Sequence, residues 1–177
     1  MGQCPNCSGP EHPWSKGEYL FPVRVESAAF LTHHSSPGHT GRNVCAVDLK
    51  VPVGTMVRAA REGTITSMKM GSERGGNRPS YNLYENWIEI THPDGETTLY
   101  GHLSNFSRFK IGTHVNAGQV FARSGATGWL AGEGPHLHFQ VTRYHGKTDA
   151  IGQSLRIRWA HGVQLPEDRE PITECRA

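Results

Sequence analysis

His136-Leu137-His138-Phe139-Gln140-Val141, entered from Gly134-Pro135, alternates without interruption. In an extended chain successive side chains point to opposite faces. His136, His138 and Gln140 therefore share one face, and Leu137, Phe139 and Val141 the other. This reads as a strand whose apolar face meets a core and whose opposite face carries two imidazoles. Residues two apart on a strand are separated by roughly 6.5 to 7 Å, close enough for both rings to serve one small site. Imidazole is the commonest metal ligand and the usual acid or base near neutral pH. An HxH pair alone is weak evidence, so its company elsewhere in the chain decides its meaning.

That company is present. Ala46-Val47-Asp48-Leu49 places Cys45, Val47, Leu49 and Val51 on one face and Asp48 on the other. Thr98-Leu99-Tyr100-Gly101-His102-Leu103 opposes Leu99 and Leu103 to Tyr100 and His102. The turn-like Pro37-Gly38-His39-Thr40-Gly41 offers a further imidazole. Nitrogen and oxygen donors of this kind suit zinc, whose catalytic sites usually keep three protein ligands and one open position.

The ordered set of motifs resembles the lysostaphin-type (LytM-type) zinc metallopeptidases, a family that cuts the peptide part of bacterial cell walls. The matching pieces are Gly38-His39-Thr40-Gly41, Ala46-Val47-Asp48-Leu49, the run Val53 to Gly63, and Asn86-Trp87-Ile88-Glu89-Ile90-Thr91-His92. Tyr100-Gly101-His102-Leu103, Ser124-Gly125-Ala126-Thr127-Gly128 and Gly134-Pro135-His136-Leu137-His138-Phe139 complete the order. The resemblance implies that His39, Asp48 and His138 hold one zinc ion, and that His102 and His136 are the catalytic histidines beside it. It implies an all-β fold of antiparallel sheets in a barrel-sandwich hybrid (a duplicated hybrid motif), with an open substrate groove. It also implies hydrolysis of peptide bonds in peptidoglycan stems or cross-bridges. One departure stands out. The common pattern has three residues between the first two ligands, whereas eight separate His39 from Asp48, as in a long-spaced subset. His33 and His34 are the nearby substitutes for the first ligand.

The bulk properties agree with one domain. At 177 residues the chain can bury a real core. Its 21 glycines and 11 prolines, without long helical periodicity, favour many short strands and turns. A formal net charge of +2 is too mild to indicate nucleic acid. No run approaches the roughly 18 apolar residues of a membrane span. The N-terminus lacks a signal-peptide pattern, so a secreted, periplasmic or wall-associated enzyme would have lost its leader or would be released as phage lysins are. Four cysteines are present: Cys4, Cys7, Cys45 and Cys175. Cys4-Pro5-Asn6-Cys7 is half a zinc-ribbon pattern without a second half, and Cys45 reads as a packing residue.

Residues 1–17 read as a loosely held tail, 18–165 as the metallopeptidase domain and 166–177 as a second tail. Strands are expected at Tyr19 to Val25, in a pair Val57–Ala60 and Thr64–Met68 around Gly63, and at Val120 to Ser124 and Ser154 to Trp159. A hairpin is expected across Pro93-Asp94-Gly95, with His92 as a turn residue and not a ligand. The glycine-rich stretch 69–84 is a long loop, suited to form one wall of a cleft. Asn86 and Tyr100 are expected to line that groove. Residue chemistry alone leaves His102 readable as a core histidine and His136 as a fourth, structural ligand. Two other functions share these features: a non-catalytic domain that binds wall or activates another hydrolase, and a carrier domain on a related fold.

Overall fold

The computed structural model describes residues 12–24, 29–31, 38–129, 134–143 and 152–160, with the backbone alone at 29–31. Its strands are β1 (Trp14–Tyr19), β2 (Ala29–Leu31), β3 (Val47–Lys50), β4 (Met56–Arg58), β5 (Gly63–Lys69), β6 (Gly75–Gly76), β7 (Trp87–Thr91) and β8 (Glu96–Gly101). They continue as β9 (Leu103–Ser107), β10 (His114–Val115), β11 (Val120–Ser124), β12 (Gly128–Trp129), β13 (His136–Arg143), β14 (Gln153–Ser154) and β15 (Arg156–Trp159). Helical structure among the described residues is limited to 3-10 turns at Gly41–Asn43 and Pro79–Tyr84. No helix among them is long and apolar enough to cross a membrane.

An eight-stranded antiparallel sheet runs β10-β5-β7-β8-β13-β3-β2, with β14 added to β13. A second sheet has the order β4-β11-β9 and is also antiparallel. Two short pairs, β1–β15 and β12–β6, are parallel. The fold is thus nearly all-β and built on antiparallel sheets, with no closed barrel among the described residues. The core lies between the two larger sheets. Leu49, Ile88, Ile90, Leu137, Phe139 and Val141 from the large sheet are fully buried with Val57, Phe121 and Ala122 from the small one. Tyr100 of β8 joins them: its ring meets Phe121 edge-on at 4.8 Å and Phe139 at 5.2 Å. Its hydroxyl accepts a hydrogen bond from the Ala60 amide at 2.8 Å.

The expected β7–β8 hairpin forms. His92 N–H donates to Glu96 O at 2.8 Å, and Gly95 N–H to His92 O at 3.0 Å. Two other local expectations fail. Val57–Ala60 and Thr64–Met68 do not pair: β4 bonds to β11, whereas β5 bonds to β7 and β10. The backbone between them is claimed by distant partners. Leu20 N–H donates to Ala60 O, Ala59 N–H to Gln119 O, and Gly118 N–H to Ala59 O. Glycine at 63 marks a close approach to Thr91 and His92, not a hairpin turn. The strand expected at Tyr19 to Val25 does not form over 20–24 either: β1 ends at Tyr19 and begins at Trp14, inside the span read as tail. Residues 1–11 and 161–177, including Cys4, Cys7 and the C-terminal tail, lie outside the described residues. Cys45, expected to be a packing residue, is disulfide-bonded, and its partner lies outside them as well. Strand alternation reports which face a thiol occupies, not its covalent partner.

The tail becomes a strand because Glu96 holds it. Its fully buried carboxylate accepts the Lys16 amide at 2.7 Å, the Gly17 amide at 3.0 Å and the Tyr19 hydroxyl at 2.9 Å. Arg143 of β13 adds a 2.6 Å ion pair. Burial by itself pushes the Glu96 carboxyl up, but these donors outweigh it and hold the group below its ordinary value. A carboxyl depressed on folding stabilises above its unfolded pKa of about 4.3, and that stability is lost as pH falls through the folded value. Glu96→Gln should therefore cost roughly 3–5 kcal/mol at pH 7, the usual penalty for breaking a buried charged network. The gap to the parent protein should narrow below about pH 4. Urea unfolding of both proteins across pH 3–7 measures this, and a gap independent of pH would contradict it.

Candidate metal centre

Register delivers the first two polar groups to one place. Strand β13 lies between β3 and β8, with His138 directly opposite Asp48 on one side and Gly101 on the other. Directly opposed residues share a face, with Cβ atoms about 4.5–5.5 Å apart. Asp48 Oδ1 consequently sits 2.9 Å from His138 Nδ1. His39 enters from the loop before β3, its Nε2 3.1 Å from Asp48 Oδ1 and 3.2 Å from His138 Nδ1. His39 and Asp48 are buried, and the His138 side chain is 12 % exposed. The long His39-to-Asp48 spacing is taken up by the 3-10 turn Gly41–Asn43 and the buried stretch Val44 to Ala46. The Ala46 amide donates to Asn43 O at 2.8 Å, and the Cys45 amide to Ser154 Oγ at 3.0 Å. The detour folds back on itself, and His39 reaches the site. His33 and His34 lie outside the described residues.

These three side chains can hold a metal ion. Their ligating atoms all lie within 4.8 Å of one another. Burial by itself pushes the Asp48 carboxyl up, but hydrogen bonds from His138 and His39 outweigh it and hold the group well below the usual carboxylate range. Burial opposes charge on His138, yet the bond to Asp48 and its negative charge raise that imidazole above its ordinary value. Two imidazole nitrogens and one carboxylate oxygen crowd one point with an anion at its centre. The donor set fits zinc.

His102 and His136 stand beside that point, their ring centroids 4.5 Å apart and edge-to-face. His136 precedes His138 by two on β13, and its Nε2 is 3.6 Å from Asp48 Oδ2. His136 Nδ1 is 2.8 Å from Gly134 O, and His102 Nδ1 is 2.8 Å from Thr127 O. A carbonyl only accepts, so each Nδ1 carries the proton and each Nε2 keeps its lone pair. Burial, together with the neighbouring His138 charge, pushes His102 down to about 4. Burial likewise lowers His136. Both rings are thus neutral near pH 7.

His102 reaches the site by breaking the strand rule. Tyr100 pairs with Phe139 on the core face, and Gly101 with His138 on the site face, so continued alternation would send His102 into the core. Its φ of +55°, in the left-handed region, turns it back. Such a conformation costs a non-glycine residue about 1–3 kcal/mol and persists only where the surroundings over-determine it. Here the His102 carbonyl accepts the Gly125 amide at 2.8 Å, the next amide, that of Leu103, donates to Asn86 O at 3.0 Å, and the ring is held by Thr127. The expectation that Tyr100 and His102 share a face is corrected accordingly, and Tyr100 does not line the groove. Asn86 does not line it either. Its buried side chain accepts the Ser72 amide and donates to Ser72 O and Leu103 O, tying the 69–84 segment to the sheet. His92 is buried elsewhere, between Glu62 O and Thr98 Oγ1.

The five residues line a cavity of about 140 Å³, completed by Gly38, Asn43, Asn82, Glu85 and Trp129. Asn82 and Glu85 come from the 3-10 turn Pro79–Tyr84 and the residue after it, so the long loop does form a wall. The indole Nε1 of Trp129 is buried without a hydrogen-bond partner among the described residues. Asn82, Glu85 and Trp129 were not foreseen from the sequence. They lie in irregular segments, where no alternation reports which way a side chain faces.

Comparison with known proteins agrees with this geometry. The chain is 38% identical over 103 residues to DD-carboxypeptidase/endopeptidase Mpg of Neisseria meningitidis serogroup B, covering 58% of this chain and 21% of that protein. It is 40% identical over 104 residues to the glycyl-glycine endopeptidase ALE-1 of Staphylococcus capitis, covering 58% and 25%. The chain thus spans about a fifth to a quarter of the length of these curated relatives. Among solved structures it superposes on lysostaphin from Staphylococcus simulans with a TM-score of 0.54 and 27% identity, over 79% of this chain and 52% of that one. The family profile matches residues 42–150, more than half of the sequence, and with the fold and the His-Asp-His cluster in place the chain belongs to peptidase family M23.

Proposed function

We propose that the protein is a zinc-dependent endopeptidase that hydrolyses peptide bonds in the stems or cross-bridges of bacterial peptidoglycan. The observation that carries this reading is the convergence of His39 Nε2, Asp48 Oδ1 and His138 Nδ1 within 3.2 Å, beside two neutral imidazoles in a solvent-reaching cavity. Its relatives support the reaction class, since Mpg is a DD-carboxypeptidase/endopeptidase and ALE-1 a glycyl-glycine endopeptidase. A wall substrate places the site of action outside the cytoplasm: secreted, periplasmic or wall-associated.

His39, Asp48 and His138 would hold one zinc ion per chain. When bound, the ion supplies a Lewis acid for the scissile carbonyl and lowers the pKa of a coordinated water towards 7. The rest of the chemistry belongs to the side chains. His102 and His136 each present a lone pair at Nε2, because Thr127 O and Gly134 O hold the protons on Nδ1. A neutral imidazole so fixed can take a proton from the attacking water and return it to the leaving amine. The Trp129 N–H, which lines the same cavity and has no hydrogen-bond partner among the described residues, can donate to a substrate carbonyl.

Purified peptidoglycan should lose turbidity when the zinc-loaded protein is added and keep it when a chelator is present. Turbidity loss that is indifferent to chelator, or no loss at all, would reject the proposal. Elemental analysis should show that His138→Ala loses most of its zinc, and full retention would remove His138 from the ligand set. His102→Ala and His136→Ala should fold and keep zinc while losing roughly 10² to 10⁴ in turnover, the typical cost of one general acid or base. Zinc loss in His136→Ala would instead make that residue a fourth ligand and the site a structural one.

A further inference from the structure

We propose that Glu85 is the positioning carboxylate of His102, marking His102 as the imidazole that carries the transferred proton; this rests on the hydrolase reading above. Glu85 Oε1 lies 3.6 Å from His102 Nδ1, too long for a hydrogen bond but a direct contact of charge with the ring edge. The carboxylate approaches the same ring edge as the Thr127 carbonyl. Both arrive through one short chain of bonds, since the amide of Asn86, next to Glu85, donates to Thr127 Oγ1 at 3.1 Å. The backbone beside Glu85 is therefore tied to the segment that fixes His102.

The space for this carboxylate is made by two glycines. A Cβ on Gly101 would collide with Glu85 Oε1, and a Cβ on Gly128 would stand 2.8 Å from Glu85 Cβ. Gly101 is also the residue opposite His138, so the absent side chain opens the sheet face at the point where Glu85 leans in. Gly128 has φ +86°, which lets β12 pass behind Glu85. Among the described residues no lysine or arginine lines the cavity.

The consequence follows from charge. As His102 accepts a proton from the attacking water at Nε2, its ring becomes positive, while Nδ1 keeps its own proton. Burial pushes the Glu85 carboxyl up, opposed by the nearby His138 charge and the His102 backbone amide, and Glu85 itself neither gains nor loses a proton in the step. The proton then passes from Nε2 to the leaving amine. The contact with Glu85 is stronger while the ring is charged than while it is neutral. It therefore favours the transition state over the bound substrate, and its loss should appear in kcat and not in KM. Among the described residues His136 Nδ1 faces Gly134 O, and the carboxylate 3.6 Å from that ring, Asp48 Oδ2, stands at Nε2 and belongs to the proposed metal ligands.

The test uses the zinc-loaded protein and soluble cross-linked muropeptides released from purified peptidoglycan. Glu85→Gln keeps the shape of the side chain between the two glycines and removes its charge. It should lower kcat about 10- to 100-fold, the usual cost of losing a partner of an active-site histidine. KM, zinc content and thermal unfolding should stay unchanged. Glu85→Gln should add nothing further in a His102→Ala background, because a residue that acts through another is silent without it. A raised KM at unchanged kcat would overturn the proposal and make Glu85 a substrate contact. An equal penalty with and without His102, or no penalty, would overturn it as well. If the wild-type protein leaves the muropeptides intact, the hydrolase reading falls and takes this proposal with it. An active wild type with an unaffected Glu85→Gln removes this proposal alone.

Discussion

The site depends on one register. Because β13 is clamped between β3 and β8 with His138 opposite both Asp48 and Gly101, a carboxylate and an imidazole meet at 2.9 Å without help from any loop. A slip of one residue would send Asp48 into the core and bring Val47 or Leu49 to the site, since side chains alternate with period two. Burial of Leu49, Leu137, Phe139 and Val141 on the other face makes that slip costly. Apolar packing on one side of the sheet thus sets the donor geometry on the other. The remaining groups are additions to this pair: His39 from the preceding loop, His136 two residues upstream, and His102 from the strand end.

The additions are held by backbone polar groups more than by packing. His102 occupies a left-handed conformation because Gly125 and Thr127 of one loop hold its carbonyl and ring, while Asn86 from another segment holds the next amide. Thr127 is central to this arrangement. Its carbonyl accepts from His102, while its hydroxyl accepts the Asn86 amide and donates to Leu103 O. Asn86, read at first as a substrate contact, is a brace that joins the 69–84 loop to the strand carrying His102. The cleft wall and the candidate catalytic histidine are therefore mechanically linked. At the opposite end of the β8–β13 ladder Glu96 does comparable work, binding the N-terminal strand through main-chain amides and pairing with Arg143. Buried acids in this protein organise neighbouring segments, with Asp48 at the site and Glu96 away from it.

The site is also electrostatically divided. Asp48 is held ionised by its two histidines, and His138 is favoured as a cation beside it. His102 and His136, a few ångströms away, are pushed towards the neutral form by burial. The four histidines thus fall into two pairs. His39 and His138 meet at Asp48 Oδ1, and His102 and His136 carry their protons on Nδ1 and keep Nε2 lone pairs. That separation suits the proposed hydrolytic centre, in which ligands and proton carriers would draw on the same residue type and must not exchange roles.

The sequence by itself determined the all-β character, the β7–β8 hairpin and the polar faces that carry Asp48 and the two histidines of β13, because alternation and turn chemistry are local properties written into adjacent residues. The M23 resemblance rested on those same local motifs in their order. The tertiary structure decided what local rules do not reach. Alternation predicted that Tyr100 and His102 share a face, and only the long-range partners of His102 explain why its backbone leaves the strand path. Ala59 and Ala60 read as strand residues before a turn, but distant backbone groups claimed their hydrogen bonds. Trp14 to Gly17 read as tail because their stabilising partner, Glu96, is some eighty residues away. Asn82, Glu85 and Trp129 reach the cavity from irregular segments, and no period in the sequence reports the direction of a side chain there. In each case the missing information is a contact between residues far apart in the chain, and only the closed fold brings them together.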